Sequence, residues 1–301
     1  MQGKVVVITG ATSGIGQVGA ESLAGMGARI VQVARDRKRG QEAVERLRKS
    51  GPNANHTIHY ADLLQLSEMK RVAAEIATAE PRIDVLMNNA GALFGGPRHV
   101  TEDGLERTFA LNHMSYFVLT LELLPRLFAA APSRIVNTSS DAHQAATMDL
   151  NDLQSEKEYP GTLKTKLVYG GPPFKVYGLS KLCNILFTRE LARRLEGTGI
   201  TANCLHPGFV ATRFGDQSGG YLSFAIGIAK KFALTPQQGA ETMIYLASSP
   251  EVANVSGAYF TKCHPTSPTA QAQNEELARG LWNASAQLAY MDPDVRSYLK
   301  N

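Results

Sequence analysis

The sequence has little cysteine, one tryptophan and no long apolar run. Cys183, Cys204 and Cys263 lie far apart with no C-x-x-C pair, and the seven histidines form no H-x-x-x-H pattern. These absences argue against a disulfide framework and the usual zinc motifs, so we predict no metal site. No apolar run reaches the roughly eighteen residues that a membrane span needs, and no signal peptide fits before the first predicted strand. We therefore expect a cytoplasmic protein.

The chain also lacks a strong excess of charge of either sign. Its formal net charge is +4 over 301 residues, and the basic residues are scattered except at Arg35–Arg39. A nucleic-acid partner is therefore not expected, and a small-molecule ligand is favoured. With 44% hydrophobic residues the chain can bury one large core, and we predict a single domain over residues 1–301.

The most informative feature present is a glycine cluster directly after an apolar run. Lys4–Thr9 is typical of a strand buried on both faces of a parallel sheet, and Gln17–Met26 has the composition of a helix. Gly10, Gly14 and Gly16 lie between them. The N–H groups and the positive dipole end at a helix start favour an anion, and glycines let a pyrophosphate approach the backbone closely. The pattern predicts a phosphate site, and a plain tight turn is the alternative.

Strand-like and helix-like segments then alternate along the chain. Further strands are predicted at Ala28–Ala34, His56–Tyr60, Ile83–Asn88, Arg134–Ser139, Ile200–Leu205 and Ala258–Phe260. Helices are predicted at Arg37–Lys49, Ser67–Ala79 and Gly104–Ala130. Such alternation indicates parallel strands joined by right-handed crossovers, an α/β fold with a doubly wound, Rossmann-type parallel sheet. Ligands bind such sheets beyond the carboxyl ends of the strands, so the residues there are candidates for a site.

Three predicted strand ends carry candidate dinucleotide contacts. Arg35 follows the second strand, where an arginine suits the 2′-phosphate of NADPH and a carboxylate would suit a 2′-hydroxyl. Alternatively, Arg35 only begins a solvated helix. Asp62-Leu63, after the third strand, pairs a polar and an apolar residue that can hold an adenine ring. Asn88–Gly91, after the fourth, has small residues and amides that let the backbone lie close to a ribose.

Chemistry is indicated where Tyr177 precedes Lys181 by one helical turn. Apolar residues recur around this pair at helical spacing, at Leu179, Leu182, Cys183, Leu186 and Phe187. The segment is therefore a predicted amphipathic helix on which Tyr177 and Lys181 are neighbours. A nearby ammonium should lower the tyrosine pKa from its usual value of about 10, which would suit proton transfer near neutrality. The alternative is a buried tyrosine beside a solvated lysine.

Together these motifs resemble those of the short-chain dehydrogenase/reductase family. The resemblance rests, in the family's order, on Thr9–Gly16, Asn88–Gly91, Ser140, Tyr177-x-x-x-Lys181 and Pro207-Gly208. It covers roughly Met1 to Phe260. A closer likeness to the retinol-dehydrogenase-like branch rests on Leu111–His113, Asp141–His143, Asn184–Leu191, Ala270–Glu275 and Leu281-Trp282.

The resemblance implies roles for individual residues. Tyr177 would exchange a proton with the carbonyl or alcohol oxygen, and Ser140 would hydrogen-bond that oxygen. Lys181 would bind the nicotinamide ribose, Asn112 would hold a water that relays protons to Lys181, and Thr212 would bond the nicotinamide carboxamide. The implied cofactor-binding residues are Gly10, Thr12, Ser13, Gly14, Ile15, Gly16, Arg35, Asp62, Leu63, Asn89, Ala90, Gly91, Tyr177, Lys181, Pro207, Gly208, Val210 and Thr212.

Three segments lie outside the shared motifs. Asp149–Pro173 is predicted to be an extra loop beside the substrate opening. The apolar Ser218–Leu234 falls in a predicted substrate lid at residues 213–235, and alternatively lies on a bilayer surface. Residues 261–301 form a predicted C-terminal helical extension that lines the pocket, braces the sheet or makes a subunit contact in a homo-oligomer.

These features predict an oxidoreductase dependent on NADP(H). It would interconvert an alcohol and its carbonyl, with a bulky apolar substrate and with Tyr177 as the general acid/base. The alternative is a non-catalytic protein that keeps the fold and binds a dinucleotide as a sensor or scaffold. Loss of Tyr177 or Lys181 would have favoured this alternative, and both residues are present.

Overall fold

One sheet, with eight strands in the described residues, forms the centre of the fold. The computed structural model describes residues 1–159, 171–210 and 234–298. The strands are β1 Val5–Thr9, β2 Arg29–Ala34, β3 Thr57–Tyr60, β4 Val85–Asn88, β5 Ser133–Thr138, β6 Ile200–His206, β7 Tyr259–Thr261 and β8 His264–Pro265. Their order is β3-β2-β1-β4-β5-β6-β7-β8, and all neighbours are parallel except β7 and β8. The predicted doubly wound parallel sheet is confirmed, with small shifts at the strand ends.

The order of the strands locates the ligand-binding edge. β1 pairs with β2 on one side and with β4 on the other, so the chain changes its direction of winding between β1 and β4. In open α/β sheets ligands bind at the carboxyl ends of the strands beside such a switch point. The glycine loop that follows β1 lies at this position.

Helices cover both faces of the sheet. They are α1 Gly14–Gly25, α2 Arg37–Ser50, α3 Leu66–Ala79, α4 Ser115–Ala129, α5 Pro172–Arg194, α6 Pro236–Ser248, α7 Glu275–Ala289 and α8 Val295–Tyr298. Side chains alternate between the two faces along each strand: Val7 and Leu86 pack with α3, α4 and α5, whereas Val6 and Ile8 pack with α1 and α6. Among the described residues, no helix is both long enough and apolar enough to cross a bilayer.

Two helix predictions are wrong in detail. α1 begins at Gly14, three residues before the predicted Gln17, so the last two glycines of the cluster lie in its first turn. The helix predicted at Gly104–Ala130 begins only at Arg107, because Gly104 has a φ of +79° and the Glu106 carboxylate accepts the Phe109 N–H (2.8 Å) as a cap. It then passes through a π-helical segment, Ala110–Met114, before α4.

α5 is buried on nearly all sides, which its sequence pattern did not predict. Its predicted core residues are buried, but so are Ser180, Asn184 and Thr188 on the opposite side. The polar side of α5 lies against the sheet, where Asn184 Nδ2 donates to the Thr138 carbonyl oxygen (3.1 Å). α7 covers the apolar side, where Trp282 stacks on Phe187 with ring centroids 5.8 Å apart. The residues after Thr261 therefore brace α5, and the helical extension packs on the layer that carries Tyr177 and Lys181.

Candidate active site

The glycine loop between β1 and α1 forms a cradle for an anion. Gly10 and Gly14 have φ values of +70° and +60°, which favour glycine, and a Cβ on Gly16 would lie 2.4 Å from the Gly10 carbonyl oxygen. Ser13 is the N-cap residue of α1, yet its side chain makes no capping hydrogen bond. The first turn of α1, all of which the structure describes, holds no acidic side chain. The first N–H groups of α1 are thus left for a bound anion.

Two further predicted residues border this cradle. Thr12 precedes the N-cap residue, and its carbonyl oxygen accepts a hydrogen bond from Arg46 Nη2 of α2 (3.4 Å). Ile15 lies in the first turn of α1 and packs against the core beneath it. Both are therefore positioned by the elements on either side of the loop.

Thr9 and Asn89 attach the glycine loop to the end of β4. Thr9 Oγ1 accepts hydrogen bonds from the backbone N–H groups of Asn89 (3.0 Å) and Ala90 (2.9 Å). Asn89 Nδ2 donates to the carbonyl oxygens of Thr9 (3.1 Å) and Gly10 (3.2 Å). Asn89 and Ala90 were predicted site residues, whereas Thr9 was not. The available signal was a polar residue at the end of an apolar strand.

Arg35 follows β2 directly and is exposed. Two other arginines of the same basic run are already engaged: the Arg37 guanidinium lies 4.7 Å from the centre of the Tyr60 ring, and Arg39 Nε lies 3.8 Å from Asp36 Oδ1. Among the described residues no ion pair involves Arg35. Its guanidinium is therefore placed where a ligand at the end of β2 can reach it.

Asp62 and Leu63 form the turn after β3. Asp62 Oδ1 accepts the Leu64 backbone N–H (3.2 Å), and the Leu63 side chain is buried in the core. The turn places both residues at the same edge of the sheet as the glycine loop. Their predicted contact with an adenine ring stays a prediction.

Tyr177, Ser140 and Lys181 lie together at the carboxyl end of β5. Ser140 interacts with the Tyr177 phenol, and its hydroxyl accepts the Ala142 backbone N–H (3.2 Å). Lys181 Nζ lies 5.5 Å from the centre of the Tyr177 ring and donates to the Thr138 carbonyl oxygen (3.1 Å). Tyr177 and Lys181 are 7% and 2% exposed, respectively. The structure thus assembles a proton donor, a polar partner and an amine in a closed setting.

The predicted effect of Lys181 on Tyr177 is wrong for the protein alone. Burial raises the pKa of Tyr177, and the interaction with Ser140 opposes that rise only in part. Burial also lowers the pKa of Lys181 to about 7. Desolvation disfavours both charged forms, so near neutrality the amine only partly supplies the charge that would favour a phenolate. The alternative, a solvated lysine, is also wrong because Lys181 is buried.

Asn112 lies in the π-helical segment that precedes α4, beside Lys181. Its Nδ2 donates to the Ala92 carbonyl oxygen (3.0 Å) and to Ser180 Oγ (2.9 Å), and its Oδ1 accepts the Ala92 N–H (2.9 Å). A Cβ on Gly91 would lie 3.2 Å from Asn112 Oδ1 and 3.3 Å from Lys181 Nζ. Both N–H donors of the amide are used, so the predicted relay water could only donate a hydrogen bond to Asn112. π-Helical segments recur at functional sites.

The loop after β6 folds against the start of α6. Pro207 follows β6, and Gly208 has a φ of +83° with Leu234 so close that a Cβ would lie 2.4 Å from Leu234 Cδ1. Val210 pairs with Leu234, whose N–H donates to the Phe209 carbonyl oxygen (2.7 Å). The predicted nicotinamide contact Thr212 and the predicted lid at 213–235 lie outside the described residues, apart from the final two positions of the lid.

The predicted extra loop at Asp149–Pro173 is described at both ends, with residues 160–170 outside the described part. A short 3-10 helix spans Leu150–Asp152, and the Tyr159 hydroxyl donates to Glu106 Oε1 (2.9 Å), which anchors the segment beside the start of the π-helical region. The end of the loop prediction is wrong, since α5 begins at Pro172. Proline is tolerated there because the first helical N–H groups need no intrahelical partner.

A polar cluster that was not predicted supports the turn after Ser140. The Asp141 carboxylate accepts the Tyr259 hydroxyl (2.7 Å) and lies 3.1 Å from His206 Nε2. The Asp141 backbone N–H donates to His206 Nδ1 (3.1 Å), so this imidazole is neutral with its proton on Nε2. Burial lowers the pKa of His206, consistent with that form. The cluster ties Ser140 to β6 and β7. Among the described residues, no three His, Cys, Asp or Glu side chains are grouped as metal ligands.

Comparisons with known proteins agree with this geometry. A family model described as short chain dehydrogenase matches residues 4–150, and one described as Enoyl-(Acyl carrier protein) reductase matches residues 165–261. Human retinol dehydrogenase 14 is 41% identical in an alignment of 303 positions that covers 95% of this chain and 86% of that protein. Human retinol dehydrogenase 13 is 39% identical, covering 98% of this chain and 87% of that protein.

Solved structures share the fold. The Pseudomonas aeruginosa RhlG/NADP active-site complex has a TM-score of 0.66 and 26% identity, with 86% of this chain and 94% of that chain covered. A short chain dehydrogenase from Burkholderia cenocepacia in complex with NADP has a TM-score of 0.66 and 25% identity, with 86% and 96% covered. The chain therefore belongs to the short-chain dehydrogenase/reductase family, in its retinol-dehydrogenase-like branch, and it is an oxidoreductase.

Proposed function

We propose that this protein interconverts an alcohol and its carbonyl with NADP(H), using Tyr177 as the general acid/base. The observation that carries the proposal is the buried Tyr177 phenol, which interacts with Ser140 and has the Lys181 amine 5.5 Å from its ring centre. These groups lie beside a glycine loop that suits a pyrophosphate. A proton donor and a dinucleotide cradle at one sheet edge are what hydride transfer to or from a C–O group requires.

The residues present fit NADP(H). Gly10, Gly14 and Gly16 carry no side chains, so phosphates can approach the backbone of the loop, and the N-terminus of α1 supplies N–H groups. Arg35 stands at the end of β2, where it can pair with a 2′-phosphate. The RhlG and Burkholderia structures, both complexes with NADP, support the same choice of cofactor.

The chain's own residues would manage the proton and the substrate oxygen. When bound, NADP(H) supplies or accepts the hydride. Tyr177 donates its proton to the carbonyl oxygen in reduction and takes it back in oxidation, while Ser140 holds that oxygen next to the phenol. Lys181 binds the ribose and, when protonated, stabilises the phenolate that oxidation requires. The buried setting strengthens each of these interactions by excluding water.

We propose a bulky apolar substrate. The two human relatives are named for retinol, a large apolar alcohol. Phe209 is 51% exposed in the loop that begins at Pro207, so an apolar side chain already stands near the proposed nicotinamide position. Each methylene that the pocket buries contributes about 0.8 kcal/mol. Catalytic efficiency should therefore rise with apolar substrate size.

The test follows NADPH absorbance over a series of aldehydes and ketones that grow in apolar size. Reduction of the larger members is expected, with kcat/KM rising along the series. Tyr177→Phe keeps the ring but removes the proton, so kcat should fall by about 10²–10⁴ while NADPH affinity is kept. Tyr245→Phe, a phenol bonded to Glu251 away from the site, is the matched control.

The outcomes of this test separate the parts of the proposal. NADPH binding without turnover on any carbonyl would instead favour the non-catalytic sensor or scaffold. Full turnover by the Tyr177→Phe variant would remove Tyr177 from the mechanism. Equal efficiency on small polar carbonyls would contradict the apolar substrate alone.

A further inference from the structure

The Lys181 amine lies between two tyrosine rings. Lys181 Nζ is 5.5 Å from the centre of the Tyr177 ring on its own helix and 5.8 Å from the centre of the Tyr116 ring on α4. Tyr116 is fully buried and stands one helical turn after Asn112. Two aromatic faces within about 6 Å of one amine form the geometry of a cation–π contact.

The Tyr116 hydroxyl does not explain the residue's place in the interior. It is buried and has no hydrogen-bond partner among the described residues. A buried hydroxyl without a partner destabilises a protein, and a phenylalanine would avoid this cost. Burial holds the Tyr116 pKa well above its usual value, and the Tyr177 phenol adds to that rise, so Tyr116 stays neutral. What Tyr116 offers its neighbours is a neutral aromatic ring.

Within the described part of the chain, few groups solvate the charge of Lys181. The described groups that face its amine are the rings of Tyr177 and Tyr116, the Thr138 carbonyl oxygen, the Asn112 amide and the backbone at Gly91. Of these, only the two tyrosines titrate. Burial lowers the pKa of Lys181 to about 7, so small changes in its surroundings alter its charge near neutrality.

We propose that Tyr116 is a positioning residue of the proton-transfer pair, and that its aromatic face helps the buried Lys181 amine to keep its proton. This inference rests on the proposed function for its role in catalysis. The negative face of the ring attracts the ammonium and not the neutral amine, so it favours the protonated form. A protonated Lys181 in turn favours the Tyr177 phenolate. Tyr116 would thereby widen the pH range over which Tyr177 can exchange its proton.

The direct experiment measures the titration of Lys181 in the protein alone. Lysine labelled with ¹³C at Cε is followed by NMR across pH 5–11, and Lys181→Met assigns the resonance. Tyr116→Leu, which removes the ring, is expected to lower the Lys181 midpoint by about half to one pH unit. Tyr116→Phe keeps the ring and should leave the midpoint close to that of the unchanged protein. Phe117→Leu removes the neighbouring buried ring, which contacts Trp282, and should cause no shift.

A graded series at position 116 tests the ring without altering its shape. Phenylalanine carrying one, two and three fluorines fills nearly the same volume, while the negative face weakens with each fluorine. The Lys181 midpoint should fall stepwise along this series, even if the leucine variant fails to fold. A flat series would overturn the proposal. A Phe variant that shifts the midpoint as far as Leu would also overturn it, because the hydroxyl would then carry the effect.

Kinetics separate this inference from the proposed function. If the unchanged protein reduces a carbonyl, the pH profile of kcat for alcohol oxidation can be measured for each variant at position 116. This profile should shift in step with the Lys181 midpoint measured by NMR. An unchanged profile alongside a shifted midpoint would overturn the catalytic part of the inference. Absence of turnover in the unchanged protein would instead contradict the proposed function, and the NMR titration would still decide the contact between Tyr116 and Lys181.

Discussion

Single residues at this site are governed by burial as much as by their neighbours. Tyr177 and Lys181 lie one helical turn apart, as their spacing predicts. Both side chains are buried, and burial raises the pKa of Tyr177, whereas the sequence predicted a lowered pKa. The i and i+4 spacing was visible in the sequence. The burial of the two side chains was not visible in the sequence, because it depends on elements that are distant from them along the chain. These are the Thr138 carbonyl of β5, Tyr116 of α4 and the covering helix α7.

The lowered pKa of Lys181 predicts how stability depends on pH. Because the folded-state pKa of about 7 lies below the unfolded value of about 10.5, the unfolded chain binds more protons between these two values. The free energy of unfolding should therefore rise with pH across this window through Lys181. Relative to Lys181→Met, the unchanged protein should be least stable below about pH 7 and should gain as pH rises.

Urea unfolding of both proteins at several pH values between 6 and 10 measures this difference. Using the difference cancels the other titrating groups, which the two proteins share. Lys175→Met, a residue that pairs with Glu158, is the control and should show no such gain. A constant difference between the Lys181→Met variant and the unchanged protein would mean that Lys181 is not desolvated.

Arg35 is expected to set the preference for NADPH over NADH. A bidentate pair between a guanidinium and a phosphate contributes about 1.5–3 kcal/mol, so affinity should differ roughly ten- to a hundred-fold. Replacing Arg35 by leucine together with Ala34→Asp should remove or reverse this preference, and high salt should weaken it because Arg35 is exposed.

Titration of tryptophan or nucleotide fluorescence with each cofactor gives the two dissociation constants. Arg39→Leu is the matched control, since Arg39 lies close to Asp36 within the same basic run. It should lower NADPH affinity far less than Arg35→Leu. Equal affinities for both cofactors in the unchanged protein would show that Arg35 is only a solvated residue in the turn before α2.

At the level of elements, apolar runs and their order predicted the sheet, because strands buried on both faces leave a clear pattern. Helix ends were predicted less well. Gly14 and Gly16 suggested a loop, yet they lie in the first turn of α1. Glycine is required at position 16 because this turn approaches the Gly10 backbone too closely for a side chain. The π-helical segment around Asn112 was not predicted from the sequence, and Asn112 within it bonds to Ala92 and to Ser180 of α5, which lie elsewhere in the chain.

The first turn of α1 predicts a sharp difference between two glycines of one helix. Gly16→Ala would place a Cβ 2.4 Å from the Gly10 carbonyl oxygen, whereas in Gly25→Ala the nearest contact is 3.6 Å from the Ser50 carbonyl oxygen. Gly16→Ala should therefore weaken NADPH binding at least tenfold, while Gly25→Ala should leave it unchanged and stabilise the helix by up to about 1 kcal/mol.

Calorimetric titration with NADPH and thermal unfolding of both variants provide the two measurements. If Gly16→Ala bound NADPH as tightly as Gly25→Ala, the glycine loop would be a tight turn without a role in the cradle. Loss of binding in both variants would indicate a general defect of α1.

In the whole molecule, α7 joins the two helical segments that carry the site. Trp282 lies 5.1 Å from the Phe117 ring of α4 and 5.8 Å from the Phe187 ring of α5, and its Nε1 donates to the Pro293 carbonyl oxygen (2.9 Å). His113, next to Asn112, is hydrogen-bonded to Ser285 of α7 (2.8 Å).

The cytoplasmic location, the lid and the oligomeric state stay predictions.

Trp282→Ala should destabilise the protein by about 3–5 kcal/mol, the usual range for removing a buried large aromatic side chain. At temperatures where the variant remains folded, turnover should also fall, because α4 and α5 lose a shared support. Tyr290→Ala, at an 88% exposed position just after α7, is the control and should change stability by less than about 0.5 kcal/mol. Denaturant unfolding and turnover under native conditions measure both effects, and equal stability of the two variants would contradict the bracing role of α7.

The position of α7 also determines when the site can mature during synthesis. Once β1 to β6 have left the ribosome, the nascent chain already contains the glycine loop, Tyr177 and Lys181. The aromatic face formed by Phe117 and Phe187 remains uncovered until the segment around Trp282 has left the ribosome. Since nascent chains fold from the N-terminus and exposed apolar surface promotes association, this face is a region that a chaperone would shield during synthesis.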